Sequence, residues 1–201
     1  MAETDFVNYA TIAAALRDDG HALLPQFLDS DTVAALAAHC RALATAEALQ
    51  PAATGRGTSL QRSGVRGDST RWLDAEAPLP LEQAYWSALQ PLRATLNRQL
   101  LLGLESVEAH YALYPPGTGY ARHRDRFRDD DARVLSSVLY LNQGWDARDG
   151  GHLRLYLPGG DVDVVPQGGT LALFLSAEIE HEVLPATRER LSIAGWFRRR
   201  T

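Results

Sequence analysis

The stretch DGGHLRLYLPGGD, residues 149–161, is the clearest guide to the fold. Between two glycine-containing turn signals, polar and apolar side chains alternate from His152 to Leu157. A period of two puts successive side chains on opposite faces, so HLRLYL reads as a strand with one buried face. DGG before it and PGGD after it mark tight reversals, which join antiparallel neighbours. The same signature recurs on both sides. SVEAHYALY (106–114), RVLSSVLYLN (133–142), DVDVV (161–165), TLALFLS (170–176), HEVLP (181–185) and RLSIAGWF (190–197) all read as short strands separated by turns. Such a series predicts an antiparallel sandwich, jelly roll or barrel over residues 105–201.

Upstream of residue 105 the pattern is helical. A first helix is expected over 7–18, ending before Gly20, followed by a short strand in HALLPQFL (21–28). Asp29 or Ser30 can cap a second helix whose apolar stripe is Val33, Leu36, Cys40 and Leu43. Cys40 is thereby expected in the core rather than as a reactive thiol. A third helical segment runs from Leu81 to Leu102, and Pro91 is expected to kink or divide it. Residues 52–67, polar, glycine-rich and without periodicity, read as a mobile loop. The expected architecture is one domain over 1–201, mainly β with N-terminal helices: helical support and loop over 1–104, then the β core.

Composition excludes several functions. The chain has 201 residues and a net charge of −5, which argues against a general nucleic-acid or anionic-membrane binder. Its single cysteine allows no internal disulfide, in keeping with a reducing cytoplasm. MAETDFVNYA (1–10) lacks the apolar segment of a secretory signal, and no apolar run has the length of a membrane span. All the basic side chains are arginine, so lysine Schiff-base chemistry is excluded.

The chemistry centres on YARHRDRFRDDD (120–131), with four arginines, four aspartates and one histidine. A charged rim on a turn explains this stretch. So does a metal site: His123 and Asp125 are two residues apart and face one side of an extended segment. A histidine from a distant strand would complete a 2-His-1-carboxylate triad, the set that favours non-haem Fe(II) and leaves coordination positions open. His181, between LALFLS and HEVLP, is the candidate. Nine positions after His181 stands Arg190, on a strand where Arg190, Ser192, Ala194 and Trp196 share a face. The small Ser192 and Ala194 leave room for a dicarboxylate held by the arginine in a bidentate pair. The alternative for Arg190 is a surface salt bridge with Glu182 or Glu189. Of the other histidines, His21 and His39 sit in or beside the helical part and His110 and His152 lie on strands, and all four are read as structural.

RGDSTRWLD (66–74), YPPGTGYARHRD (114–125), VLYLNQGWDARDGGHLRLY (138–156) and HEVLPATRERLSIAGWF (181–197) together resemble the 2-oxoglutarate- and Fe(II)-dependent prolyl hydroxylases, in particular bacterial relatives of the hydroxylases of hypoxia-inducible factor. The resemblance implies a double-stranded β-helix (jelly roll) core behind N-terminal helices. It implies iron ligands at His123, Asp125 and His181. Arg190 and Tyr140 would bind the distal carboxylate of 2-oxoglutarate, with Tyr114 lining that pocket and Trp196 near the iron. Asp68 and Arg133 would form an ion pair closing a loop over substrate. The implied cofactors are Fe(II), 2-oxoglutarate as cosubstrate and O2, with ascorbate as a candidate reductant. The implied reaction is hydroxylation of a prolyl residue in a protein, with release of succinate and CO2.

Some bacterial relatives act on elongation factor Tu, which makes it the first candidate substrate and the cytoplasm the expected location. Three alternatives are a hydroxylase of a free amino acid, a nucleic-acid demethylase of the same superfamily, and a non-catalytic jelly-roll binding module. The long loop at 52–67 favours a large substrate. The demethylases usually carry a second arginine six positions after the cosubstrate arginine, where this chain has Trp196. The oligomeric state is not legible in the sequence.

Overall fold

The computed structural model describes residues 9–52, 65–125 and 132–200. Helix α1 (Tyr9–Asp19) leads into strand β1 (His21–Leu24), shorter than expected because Pro25 breaks the run. Helix α2 (Ser30–Thr45) is capped by Asp29, whose carboxylate accepts from the Thr32 backbone N–H at 2.8 Å. Its stripe of Val33, Leu36 and Cys40 is buried, and burial pushes the Cys40 thiol up to about 12, which leaves it protonated and inert. Helix α3 (Gln83–Leu100) is not divided at Pro91. Proline removes one backbone donor, and the full burial of Leu89, Leu92 and Leu96 outweighs that loss.

The remaining strands are β2 (Gln50–Pro51), β3 (Ser69–Trp72), β4 (Leu104–Tyr114), β5 (Tyr120–His123), β6 (Arg133–Tyr140), β7 (Leu153–Tyr156), β8 (Val162–Val164), β9 (Leu171–Leu175), β10 (Glu180–Val183) and β11 (Arg190–Arg199). They form two antiparallel sheets, a large one ordered β1-β9-β6-β11-β4-β3-β2 and a small one ordered β5-β10-β7-β8. This is the expected jelly roll. Leu191, Ile193 and Phe197 of β11 turn one face of the large sheet toward the helices and form the main core with Leu36, Leu92, Leu96, Leu135 and Leu173. The opposite face points at the small sheet, where Tyr140, Leu153, Leu155, Ala172 and Phe174 form a second core.

The strands β3 and β5 were not foreseen. Both are short and carry charge, so neither shows clean alternation. The expected loop over 52–67 is corrected at its ends, and residues 53–64 lie outside the described residues. At one end the Ala52 N–H donates to the Asp68 carbonyl at 2.9 Å. At the other, Val65 to Gly67 run along the free edge of β5: Ala121 N–H donates to Val65 O at 2.8 Å and Gly67 N–H to Gly119 O at 2.9 Å.

Candidate active site

Strand pairing builds the centre. In the β10–β5 ladder His181 lies directly opposite His123, and Asp125 follows just beyond the end of β5. The Asp125 carboxylate reaches both imidazoles, Oδ1 at 3.5 Å from His123 Nε2 and Oδ2 at 3.5 Å from His181 Nε2. The candidate ligand atoms of the three side chains lie within 4.8 Å of one another, the only such group among the described residues. Each histidine turns its Nδ1 to a backbone carbonyl, that of Ala121 at 2.7 Å and of Ile179 at 3.3 Å. That contact places the proton on Nδ1 and leaves both Nε2 lone pairs aimed at the centre. Ser136 donates to Asp125 Oδ2 at 2.7 Å and touches Ser176 at 2.8 Å, so the carboxylate is oriented as well.

The electrostatics suit a cation. Burial would raise the Asp125 carboxyl, but the two imidazoles and the Ser136 hydroxyl outweigh it and hold it well below the usual carboxylate range. Burial also pulls His181 below its ordinary value, only partly opposed by Asp125. One ionised carboxylate and two open imidazole nitrogens could hold one divalent metal ion.

This triad opens on a cavity of about 400 Å³ between the two sheets, and Arg190 lines it too. Arg190 is 1% exposed, so the surface salt-bridge alternative is overturned. Glu182 instead accepts from the Tyr156 hydroxyl at 2.6 Å, and Glu189 pairs with Arg41 at 2.8 Å. Arg190 donates from Nε to the Gly151 carbonyl at 2.9 Å and from Nη1 to Ser192 at 3.3 Å, but Nη2 has no partner. The neighbouring Tyr140 hydroxyl, also fully buried, has none either. The Tyr114 and Tyr140 rings both stand 5.3 Å from the Arg190 guanidinium. A buried guanidinium without a carboxylate costs several kcal/mol unless an anion completes it. The orphaned Nη2 and the Tyr140 hydroxyl therefore fit the carboxylate of a small dicarboxylic acid. Gly151 has φ +68° and an added Cβ would come within 3.3 Å of Arg190 Cδ, so the glycine of the DGG turn helps to admit this side chain.

The expected Asp68–Arg133 pair is corrected. Asp68 takes Arg66 in a two-pronged pair at 2.6 and 2.8 Å, two residues away, where little chain has to be ordered. Arg133 instead bonds Glu108 at 2.8 Å and lies 3.7 Å above the Trp196 ring. Glu108 is opposite Trp196 in the β11–β4 register, so it is within reach of the arginine on that ring. Trp196 lines the same cavity.

Sequence reading passed over several residues here. Tyr120 stacks on His123 with centroids 3.6 Å apart, and the Arg66 guanidinium lies over the tyrosine ring at 4.9 Å. His110 is buried in the cavity wall against both Trp72 and Trp196, with centroids at 5.0 and 5.4 Å. Burial, then the Arg66 charge, hold it down to about 4, so it is neutral at pH 7. Only the spacing of YxxH hinted at the Tyr120 stack, and nothing local marks His110.

Comparison with known proteins decides the family. Residues 109–198 match the model of the 2OG-Fe(II) oxygenase superfamily. A Pseudomonas putida prolyl-4-hydroxylase structure is 47% identical, with a TM-score of 0.86 over 96% of this chain and 100% of that one. The chain belongs to the prolyl-hydroxylase family of 2OG-Fe(II) oxygenases. A Trichoplax adhaerens prolyl hydroxylase, solved in complex with a peptide fragment of the hypoxia inducible factor oxygen degradation domain, is 27% identical with a TM-score of 0.85, covering 94% of this chain and 88% of that one. Human Egl nine homolog 1 is 33% identical over 143 residues, 66% of this chain. The match spans only 33% of that human protein, about a third of its length. The family uses Fe(II), 2-oxoglutarate and O2, and the cavity has donors suited to the first two.

Proposed function

We propose that the protein is an Fe(II)- and 2-oxoglutarate-dependent dioxygenase that hydroxylates a prolyl residue within another protein. The observation that carries this reading is the buried, incompletely paired Arg190 in the same cavity as the His123, Asp125 and His181 cluster. In this reading those three side chains hold the iron. Arg190 and Tyr140 bind the distal carboxylate of 2-oxoglutarate, and Tyr114 closes the wall beside it. Iron, once bound with 2-oxoglutarate and O2, supplies oxidative decarboxylation to succinate and CO2 coupled to C–H hydroxylation. The protein's own contribution is placement. Ser136 aims Asp125, backbone carbonyls set both imidazole tautomers, and the buried tyrosines keep water from the dicarboxylate. Trp72, 53% exposed, lies in the cavity wall against the buried Trp196, and a prolyl ring from an extended peptide would rest beside it.

The kinship with prolyl hydroxylases, one of them solved with a peptide, supports a protein rather than a free amino acid as substrate. Elongation factor Tu is the first candidate, and acting on it places the enzyme in the cytoplasm. Among the described residues no helix is long and apolar enough to cross a membrane. The test has two stages. Release of labelled CO2 from 2-oxoglutarate by the iron-loaded protein establishes cosubstrate turnover, and its absence would return the chain to a binding role. Intact-mass analysis of elongation factor Tu after incubation should then show a gain of about 16 Da, one oxygen atom. An unchanged mass with continued CO2 release would remove that substrate and keep the reaction.

A further inference from the structure

Arg190 is held from behind by a turn that stays outside the cavity. Its Nε donates to the Gly151 carbonyl at 2.9 Å. Gly151 is closely walled: an added Cβ would stand 3.0 Å from Ala186 Cβ, 3.1 Å from Trp145 Cζ2 and 3.3 Å from Arg190 Cδ. The Trp145 indole and the Arg190 stem therefore press on the same glycine. Trp145 is buried, and among the described residues neither it nor Gly151 lines the cavity. Its indole N–H donates to the Gly150 carbonyl at 3.0 Å. The turn is tied further by the Gly151 N–H to the Pro185 carbonyl at 3.0 Å and by the Thr187 N–H to the Asp149 carbonyl at 2.8 Å. The Arg188 guanidinium lies over the indole at 4.9 Å and donates to the Gly144 carbonyl and to Asp149 Oδ2, both at 3.3 Å.

We infer that Trp145 is a positioning residue: through Gly151 it fixes how far Arg190 stands from the triad, and so fits the site to 2-oxoglutarate rather than to 2-oxoadipate, the homologue longer by one methylene. The inference rests on the reading of Arg190 as the anchor of the distal carboxylate. A guanidinium holds a carboxylate by directional hydrogen bonds that weaken steeply with misplacement. An acid bound at both ends therefore reports the distance between the two binding groups. Arg190 is kept from drawing back, because its Nε is bound to Gly151 and Gly151 lies against the indole. A smaller side chain in place of Trp145 would leave a void behind the glycine, into which the turn and the arginine bound to it can relax. The shorter acid would then be gripped less well and the longer one excluded less. One methylene in a fitted pocket is worth roughly 10- to 200-fold in discrimination, so the choice between the two acids is a sensitive gauge of that distance.

The test is calorimetric titration of 2-oxoglutarate and of 2-oxoadipate into the full chain loaded with Mn(II), after titration of Mn(II) itself. Trp145→Leu should weaken 2-oxoglutarate binding roughly tenfold, narrow the preference over 2-oxoadipate, and leave the Mn(II) affinity unchanged. Trp145→Phe, which keeps a ring against Gly151, should recover part of the preference. An unchanged 2-oxoglutarate affinity in Trp145→Leu, an equal loss for both acids, or a parallel loss of Mn(II) overturns the inference, the last because a general loosening would produce it. If Trp145→Leu is unfolded at the titration temperature, Arg188→Gln carries the test, since it uncovers the indole by changing a half-exposed side chain. It should narrow the preference about two- to fivefold at full Mn(II) affinity, and an unaltered preference overturns the inference. Arg190→Ala keeps the failures apart. Unaltered 2-oxoglutarate binding in that variant removes the anchor reading itself, whereas a loss there beside native binding in Trp145→Leu removes only the role of Trp145.

Discussion

Arg190 is a cation kept out of water with one nitrogen unsatisfied, and the Tyr140 hydroxyl beside it is in the same state. A hydrogen bond to a charged group contributes about 1.5–3 kcal/mol. Arg190→Ala should therefore raise the Michaelis constant for 2-oxoglutarate roughly 10- to 150-fold, measured as the cosubstrate dependence of CO2 release, and Tyr140→Phe should raise it less. An unaltered dependence in the alanine variant would take the anchor role from Arg190. His181→Ala, His123→Ala and Asp125→Ala should each abolish tight metal binding in a direct titration while the circular dichroism stays native. His110 gives a pH signature. It is held at about 4 in the folded protein, mainly by burial, against an ordinary value near 6.5. Between those two values the unfolded chain takes up a proton that the native state refuses, so stability is full above about pH 6.5 and falls as the pH drops toward about 4. The loss is about 3 kcal/mol. Urea unfolding of metal-free protein should show this fall, and His110→Phe should flatten it, with a residual slope from His181, whose shift has the same sign.

Strand β5 is the element on which the metal centre turns. It meets β10 through only two paired positions, His123 with His181 and Tyr120 with Val183, with an irregularity between them. Two features hold it there. Gly119 lets the chain approach so closely that an added Cβ would collide with the Val183 carbonyl oxygen. On the outer face Arg122 bonds Glu180 at 2.5 and 3.0 Å and covers the Tyr156 ring at 3.7 Å, one residue from each histidine. Gly119→Ala should force β5 from β10 and weaken metal binding severely, seen by titration with Mn(II). Arg122→Ala and Glu180→Ala act on a half-exposed pair, so each should cost at most about fivefold in metal affinity. The double variant should cost no more than the larger single one. Strict additivity would mean that the pair does not position the centre.

The molecule divides its labour between two cores on opposite faces of one sheet. The helices and the outer face of the large sheet bury Leu36, Leu92 and Leu96, while the space between the sheets holds both the second core and the cavity. Leu92→Ala should lower stability by about 2–5 kcal/mol and leave metal affinity unchanged at temperatures where the chain stays folded. Leu155→Ala should lower both, because Leu155 is opposite His181 in the β10–β7 ladder. Equal metal affinities in the two variants would show that the inter-sheet packing does not brace the site.

What the sequence alone determined lies in local repetition. Alternation in HLRLYL, RVLSSVLY and RLSIAGWF is a property of neighbours a few residues apart; it was enough for an antiparallel sandwich, jelly roll or barrel, and the resemblance to a family chose the jelly roll among them. The apolar stripes and the Asp29 cap were likewise legible for the helices. Their motif spacing marked His123, Asp125, His181 and Arg190, but whether Arg190 faced solvent or cavity stayed open. Burial depends on what packs across from a strand. Tertiary structure decided that His123 lies opposite His181, that Arg190 is enclosed, and that His110 packs against two tryptophans. It also exchanged the expected Asp68–Arg133 pair for Arg66–Asp68 and Arg133–Glu108. Each of these rests on the register between strands far apart in the chain. A shift of one residue turns every side chain to the other face, and no local pattern carries that choice.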